Sequence, residues 1–165
     1  MRRCEGKGVR VETTERLKIY RHLFRIGVPL IDRQHEQYLE WLDQLFTLTE
    51  QPSVSRAAVN EAVAGAVAYA IEHFDAEEAL MRSVAYPGYE GHVRKHDEFR
   101  SETDRLCADD PKAVSPEERL FYLTKWLVNW FCDQTQVYDK ALAVFLERQR
   151  STCNGGSVGS EASQT

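Results

Sequence analysis

Apolar positions in this chain recur every three or four residues rather than every second one, and four segments carry that pattern. The first spans about Asp32 to Leu48, with Asp32 placed to cap it, and its inward stripe reads His35, Tyr38/Leu39, Leu42, Leu45/Phe46. The second spans about Val54 to Val84, with Val59, Val63, Ala66, Ala70, His73, Glu77 and Leu80/Met81 on one face. Pro87-Gly88 ends it, and a third segment, about Tyr89 to Cys107, carries His92, His96, Phe99 and Leu106. After the turn-rich DDPKAVSPEE, the fourth spans about Pro116 to Arg148. Its stripe is Leu120, Leu123, Leu127, Trp130, Gln134, Val137/Tyr138, Ala141 and Phe145. Four amphipathic helices on short connections predict an all-α, antiparallel up-down four-helix bundle over residues 19–149. Residues 1–18 read as a loose N-terminal arm, and 150–165, mostly small and polar, as a disordered tail.

The stripes are not uniformly apolar. His35, His73, Glu77, His92, His96 and Gln134 stand where leucine is expected. Burying each without a partner costs about 1–3 kcal/mol, more if charged, so something must satisfy them. Positions i and i+4 of a helix share a face, so His73 can act with Glu77 and His92 with His96. Imidazole and carboxylate together suit iron, zinc, manganese or copper. Either pair alone is a weak signal. Two on consecutive segments, with His35 on the inward face of the first, point to a metal centre in the bundle core.

Composition narrows the function classes. A chain of 165 residues, 42% apolar, suits one domain with its own core. A net charge of −5 argues against nucleic acid as a partner. The N-terminal basic residues precede no apolar run, and FYLTKWLVNWF is short and holds Lys125, so neither a secretory signal nor a membrane span is expected. Cys4, Cys107, Cys132 and Cys153 form no C-x-x-C pair, which suits reduced thiols in a cytoplasmic protein.

Three motifs carry a family resemblance. They are IGVPLIDRQHEQYLEWL, with I-D-x-x-H ending at His35; HFDAEEALM, with H-F-x-x-E-E; and YPGYEGHVRKHDEF, with H-x-x-x-H between aromatics. In these the chain resembles the hemerythrin family, specifically the bacterial hemerythrin-like proteins, over most of residues 19–146. That resemblance implies two iron ions with a bridging oxo or hydroxo group, held by five histidines and two carboxylates. It implies His35 and His73 on the oxygen-binding iron, His92 and His96 on the other, and Glu77 as one bridge.

The family's last motif, roughly W-L-x-x-H-I-x-x-x-D-K, is altered. One register places Trp130 and Thr135 at its histidine and aspartate. The other places Gln134 and Asp139 there, followed by the matching Lys140, and is preferred because it keeps the aspartate. Either way the fifth histidine is missing, and the remaining His22 lies upstream of the first motif. An ideal helix sets Asp139 about 140° from Gln134, so periodicity alone makes it a solvent-facing aspartate. Its role as second bridge rests on the family spacing. Gln134 could ligate weakly, hydrogen-bond a metal-bound water, or leave a position open. The resemblance also implies a ligand pocket lined by Phe74, Phe131 and Thr135, the last standing where the family commonly has isoleucine.

Reversible binding of dioxygen, for storage, delivery or sensing, is the leading expectation, with no catalytic residues. An enzyme acting on peroxide or nitric oxide is the alternative. Tyr138 and Asp133 are the nearest candidates for proton transfer, although surface or core roles suit them better. A regulatory bundle that has lost its metal is disfavoured, since His35, His73, His92, His96 and Glu77 are all retained.

Overall fold

A computed structural model of the protein describes residues 21–108 and 114–155. The polypeptide forms α1 (Pro29–Thr49), α2 (Arg56–Ser83), α3 (Tyr89–Ala108) and α4 (Pro116–Asp133). A π-helical segment, Gln134–Asp139, runs without a break from α4 into α5 (Lys140–Gly155). These last three pieces make one long rod, so the architecture is a four-helix bundle, with no strand among the described residues. α1 packs against α2 and α4, and α2 also packs against α3 and α4. The expected arm lies outside the described residues, as does the tail beyond Gly155, while α5 itself runs on to Gly155.

Local chemistry sets the helix ends. α1 begins at Pro29, whose missing N–H costs nothing in the first turn, three residues before the expected start. Asp32 is therefore not the N-cap. Val28 holds that position without a side-chain cap. The Asp32 carboxylate instead accepts from the backbone N–H groups of Ile26 (2.7 Å) and Gly27 (3.2 Å), fixing the incoming chain. Gly27 has φ +80°, a left-handed value that favours glycine. Ser55 caps α2 by accepting from Ala58 N–H at 3.1 Å, and Ser115 and Glu118 form a reciprocal capping box on α4.

Two apolar clusters divide the interior. One includes Tyr38, Leu42, Ala70, Phe74, Phe99, Leu127 and Phe131; the other is built on Val28, Ile31, Met81, Leu142 and Leu146. On its way between them each helix crosses a thin polar layer: Ile31–His35–Tyr38 on α1, Phe74–Glu77–Met81 on α2, and Phe131–Asp139–Leu142 on the long rod. The stripes of α1 to α3 lie as expected, except that Phe46 is exposed and Leu45 faces in.

On the rod the stripe is shifted beyond Gln134. Val137 and Ala141 are exposed and Tyr138 and Phe145 half-buried, while Asp139, Leu142 and Leu146 are buried. The π segment is the cause. Its hydrogen bonds close at i→i+5, one residue more per ring than in an α-helix, so every later side chain is displaced by one position.

The π segment thus acts as a one-residue insertion, which yields a deletion test. Removing exposed Gln136 lets the rod close as α-helix with Asp139, Leu142 and Leu146 still inward. The thermal midpoint is expected to move by no more than about 5 °C. Removing exposed Ala68 from the middle of α2 instead rotates one half of that helix by about 100° and is expected to lower the midpoint by more than about 10 °C. Equal losses from the two deletions, measured by circular dichroism, would contradict this reading of the segment.

Candidate metal centre

The polar layer receives side chains from every helix. α1 supplies His35, α2 His73 and Glu77, α3 His92 and His96, and the π segment both Gln134 and Asp139, at its first and last positions. All seven are buried, Glu77, His96 and Asp139 completely. They fall into two groups, His35–His73–Asp139 and Glu77–His92–His96, within each of which one donor atom per residue lies within 4.8 Å of the others.

The carboxylates join the groups. Asp139 sets Oδ2 3.1 Å from His35 Nε2 and Oδ1 3.2 Å from His92 Nε2. Glu77 Oε2 lies 3.2 Å from His92 Nε2, 3.4 Å from His96 Nε2 and 3.8 Å from His73 Nε2. Each carboxylate therefore touches a histidine of both groups.

Three histidines are oriented from behind. His35 Nδ1 lies 2.8 Å from the Phe24 carbonyl, which can only accept, so Nδ1 carries the proton that donates to it. His73 Nδ1 donates to Gln34 Oε1 at 3.2 Å, and His96 Nδ1 to Glu78 Oε1 at 3.0 Å. Arg100 Nη2 in turn donates to that Glu78 oxygen at 3.1 Å. Each bond leaves Nε2 facing the centre of the layer. His92 Nδ1 has no such partner among the described residues.

The donor set fits two metal cations. His35 Nε2, His73 Nε2, both Glu77 oxygens and Asp139 Oδ2 are buried without a hydrogen bond of good geometry among the described residues. Orphaned donors of this kind are costly in a dry core, and metal ions satisfy them. Imidazole nitrogen mixed with carboxylate oxygen suits iron, manganese or zinc.

The charges within the layer act on one another. Burial would discharge His92, but the Asp139 and Glu77 carboxylates, each 3.2 Å away, outweigh it and raise the imidazole to about 9. His35 is raised too, against the pull of burial, chiefly by Asp139. His73 lies farther from the carboxylates, and burial drives it down to about 4. Glu77 is held below the ordinary carboxylate range although burial and the Asp139 charge oppose this, because the His92 and His96 imidazoles stand 3.2 and 3.4 Å from it. Asp139 is held lower still against burial, by His35 and His92. The two carboxylates and the imidazoles beside them thus hold one another toward their charged forms, against the pull of burial.

Gln134 belongs to the second group. Its amide nitrogen lies 2.5 Å from His92 Nε2, 3.0 Å from His96 Nε2, and donates to Asp139 Oδ1 at 3.0 Å. His22 is exposed and joins neither group. Phe131 packs edge-on against His35, ring centroids 5.4 Å apart, beside Tyr38 and Phe24. Phe74 stacks on His96 at 4.1 Å and lies 5.9 Å from His73, so it touches both groups. Thr135 is buried, its hydroxyl without a partner among the described residues. Tyr138 lies half-buried beside His92, and Asp133 is exposed.

Sequence reasoning named no residue behind the histidines. Gln34, Glu78 and Arg100 sit at ordinary polar positions, and the Phe24 carbonyl leaves no trace in a side-chain pattern. Only Glu78 had a signal, as the second acid of HFDAEE.

Comparison with known proteins gives a family match. The family model described as Hemerythrin HHE cation binding domain matches residues 26–136. A bacteriohemerythrin of Stenotrophomonas maltophilia (strain R551-3) is 34% identical over 146 residues, covering 87% of this chain and 94% of the relative. A bacteriohemerythrin of Pseudomonas aeruginosa (strain LESB58) is 32% identical over 105 residues, covering 62% and 67% respectively. A hemerythrin from Sipunculus nudus is 39% identical over 56 residues, covering 34% and 43%.

Loss of a group that orients a metal-binding histidine typically weakens metal affinity by about 10–100-fold. Glu78→Ala is expected to do so here, read by competition with a chromophoric chelator, while the metal-free thermal midpoint moves by only a few degrees. Affinity equal to the parent's would show that His96 needs no support from Glu78.

Proposed function

Because this chain belongs to the hemerythrin family, we propose that it holds two iron ions in the buried polar layer and binds dioxygen reversibly there. The observation that carries the reading is the pair of buried histidine groups joined by two shared carboxylates. In this assignment His35 and His73 ligate one iron, and His92 and His96 the other. Glu77 and Asp139 would be shared between them. Gln134 is a weak ligand of the second iron or a hydrogen-bonding neighbour of it.

Ferrous iron in such a site supplies the electrons that let dioxygen bind. The chain's own contribution is to orient the histidines and to keep water out. The Phe24 carbonyl, Gln34 and Glu78 hold three imidazoles by their outer nitrogens. Phe131 and Phe74 supply apolar walls, and a dry wall slows the proton-assisted oxidation that ends reversible binding. Thr135 brings an unpartnered hydroxyl to that region, so oxidation in air is faster than an apolar residue there would allow.

No helix among the described residues is long and apolar enough to cross a membrane. A cytoplasmic binding protein for a small diatomic ligand, rather than an enzyme, is the reading that the hemerythrin relatives support.

The test is anaerobic loading with ferrous iron, followed by visible absorption as oxygen is admitted and then swept out with argon. A band that appears and then disappears over repeated cycles is expected, and Thr135→Ile should increase the number of cycles survived. An irreversible shift to a ferric spectrum on the first exposure would contradict reversible binding and favour turnover of peroxide or nitric oxide.

A further inference from the structure

A cavity of about 420 Å³ opens between α3 and the C-terminal rod and reaches Gln134. Trp126, Trp130 and Tyr138 form its aromatic walls, and Val137, 57% exposed, stands on its rim. Gln134 is only 2% exposed, yet it lines this cavity while its amide rests on the Nε2 atoms of His92 and His96. One side chain therefore lies both against the cavity and against the second histidine pair. Phe131, the aromatic packed edge-on against His35, is not among the cavity's lining residues.

We propose that this cavity is a binding site and entrance for a small uncharged ligand, a diatomic gas or a hydroperoxide, leading to the second metal position with Gln134 as its gate. The proposal rests on the di-iron reading above. Three observations carry it. First, the two metal positions have equal protein ligation, two imidazoles each and two shared carboxylates, so the second is as open as the first unless the Gln134 amide closes it. An amide is a weak neutral donor and is more readily displaced than imidazole.

Second, size and walls suit a small apolar or weakly polar guest. The volume exceeds what a diatomic molecule needs, and three lining side chains are aromatic, with Gln134 the lining polar group that also touches the histidine pair. Third, the charge at the mouth disfavours anions. Glu98, Glu102 and Asp133 line it, with Lys95 as the one lining cation among the described residues. Lys95 already pairs with Glu98 at 2.6 Å, and Arg105 pairs with Glu102 from outside at 2.6 Å, which leaves the mouth net negative.

Nitric oxide is the probe. The full-length protein is loaded anaerobically with ferrous iron, iron per chain is measured, and nitric oxide uptake is counted and timed by visible absorption and electron paramagnetic resonance. Two equivalents of nitric oxide per chain are expected for the parent. Val137→Trp, a change at an exposed rim position, should slow one equivalent at least tenfold and leave the other unchanged. Gln134→His should reduce the count to one. A single equivalent in the parent carrying two irons would overturn the proposal, as would two equivalents that Val137→Trp leaves equally fast. Fewer than two irons per chain would instead overturn the functional reading, and this inference with it.

Discussion

Two carboxylates, Glu77 and Asp139, lie wholly buried in the middle of a helical bundle, and the rest of the structure answers to their charge. An uncompensated carboxylate in such a place costs several kcal/mol. Every helix contributes to the compensation. His35, His73, His92 and His96 converge on the two acids from three helices, and groups farther out fix the direction in which three of the imidazoles face. The apolar clusters above and below the layer keep water away, which strengthens each interaction inside it. The two acids raise His35 and His92 against the pull of burial.

Much of this is legible in the chain because α-helical periodicity is a local property. The spacing of His73 to Glu77 and of His92 to His96 places both pairs on inward faces without reference to the fold, and those faces are buried. Asp139 is the exception. α-periodicity turns it about 140° from Gln134, toward solvent, yet both face the layer. The choice between α and π rings at Gln134–Asp139 is not made by local preference. It is made by burial, because only the π path brings Asp139, Leu142 and Leu146 inward together. The same shift moves Val137 outward, to the rim of the cavity. Asp32 marks a different limit, since an aspartate before an apolar stripe fits an N-cap and a first-turn side chain binding the preceding backbone equally well.

Gln134 links the two halves of the account. At the first residue of the π segment it touches both histidines of the second group and hydrogen-bonds the acid at the last residue. The two groups of the layer carry two imidazoles apiece. The outer supports remain unequal. His35 and His73 each rest on a carbonyl oxygen, of the Phe24 backbone and the Gln34 amide. His96 rests instead on a carboxylate braced by Arg100, and His92 has no outer support among the described residues. Asymmetry between the two groups therefore comes from what stands behind the imidazoles and from Gln134 and the cavity beside it.

The central claim is that Glu77 and Asp139 are shared between two metal ions. Mössbauer spectroscopy of protein loaded with ⁵⁷Fe and then oxidised tests it most directly. Shared bridging predicts two irons per chain, magnetically coupled to a diamagnetic ground state, with two resolved environments only if the unequal outer supports are felt at the metals. A magnetically split spectrum of isolated high-spin ferric ions, with at most one iron per chain, would contradict it.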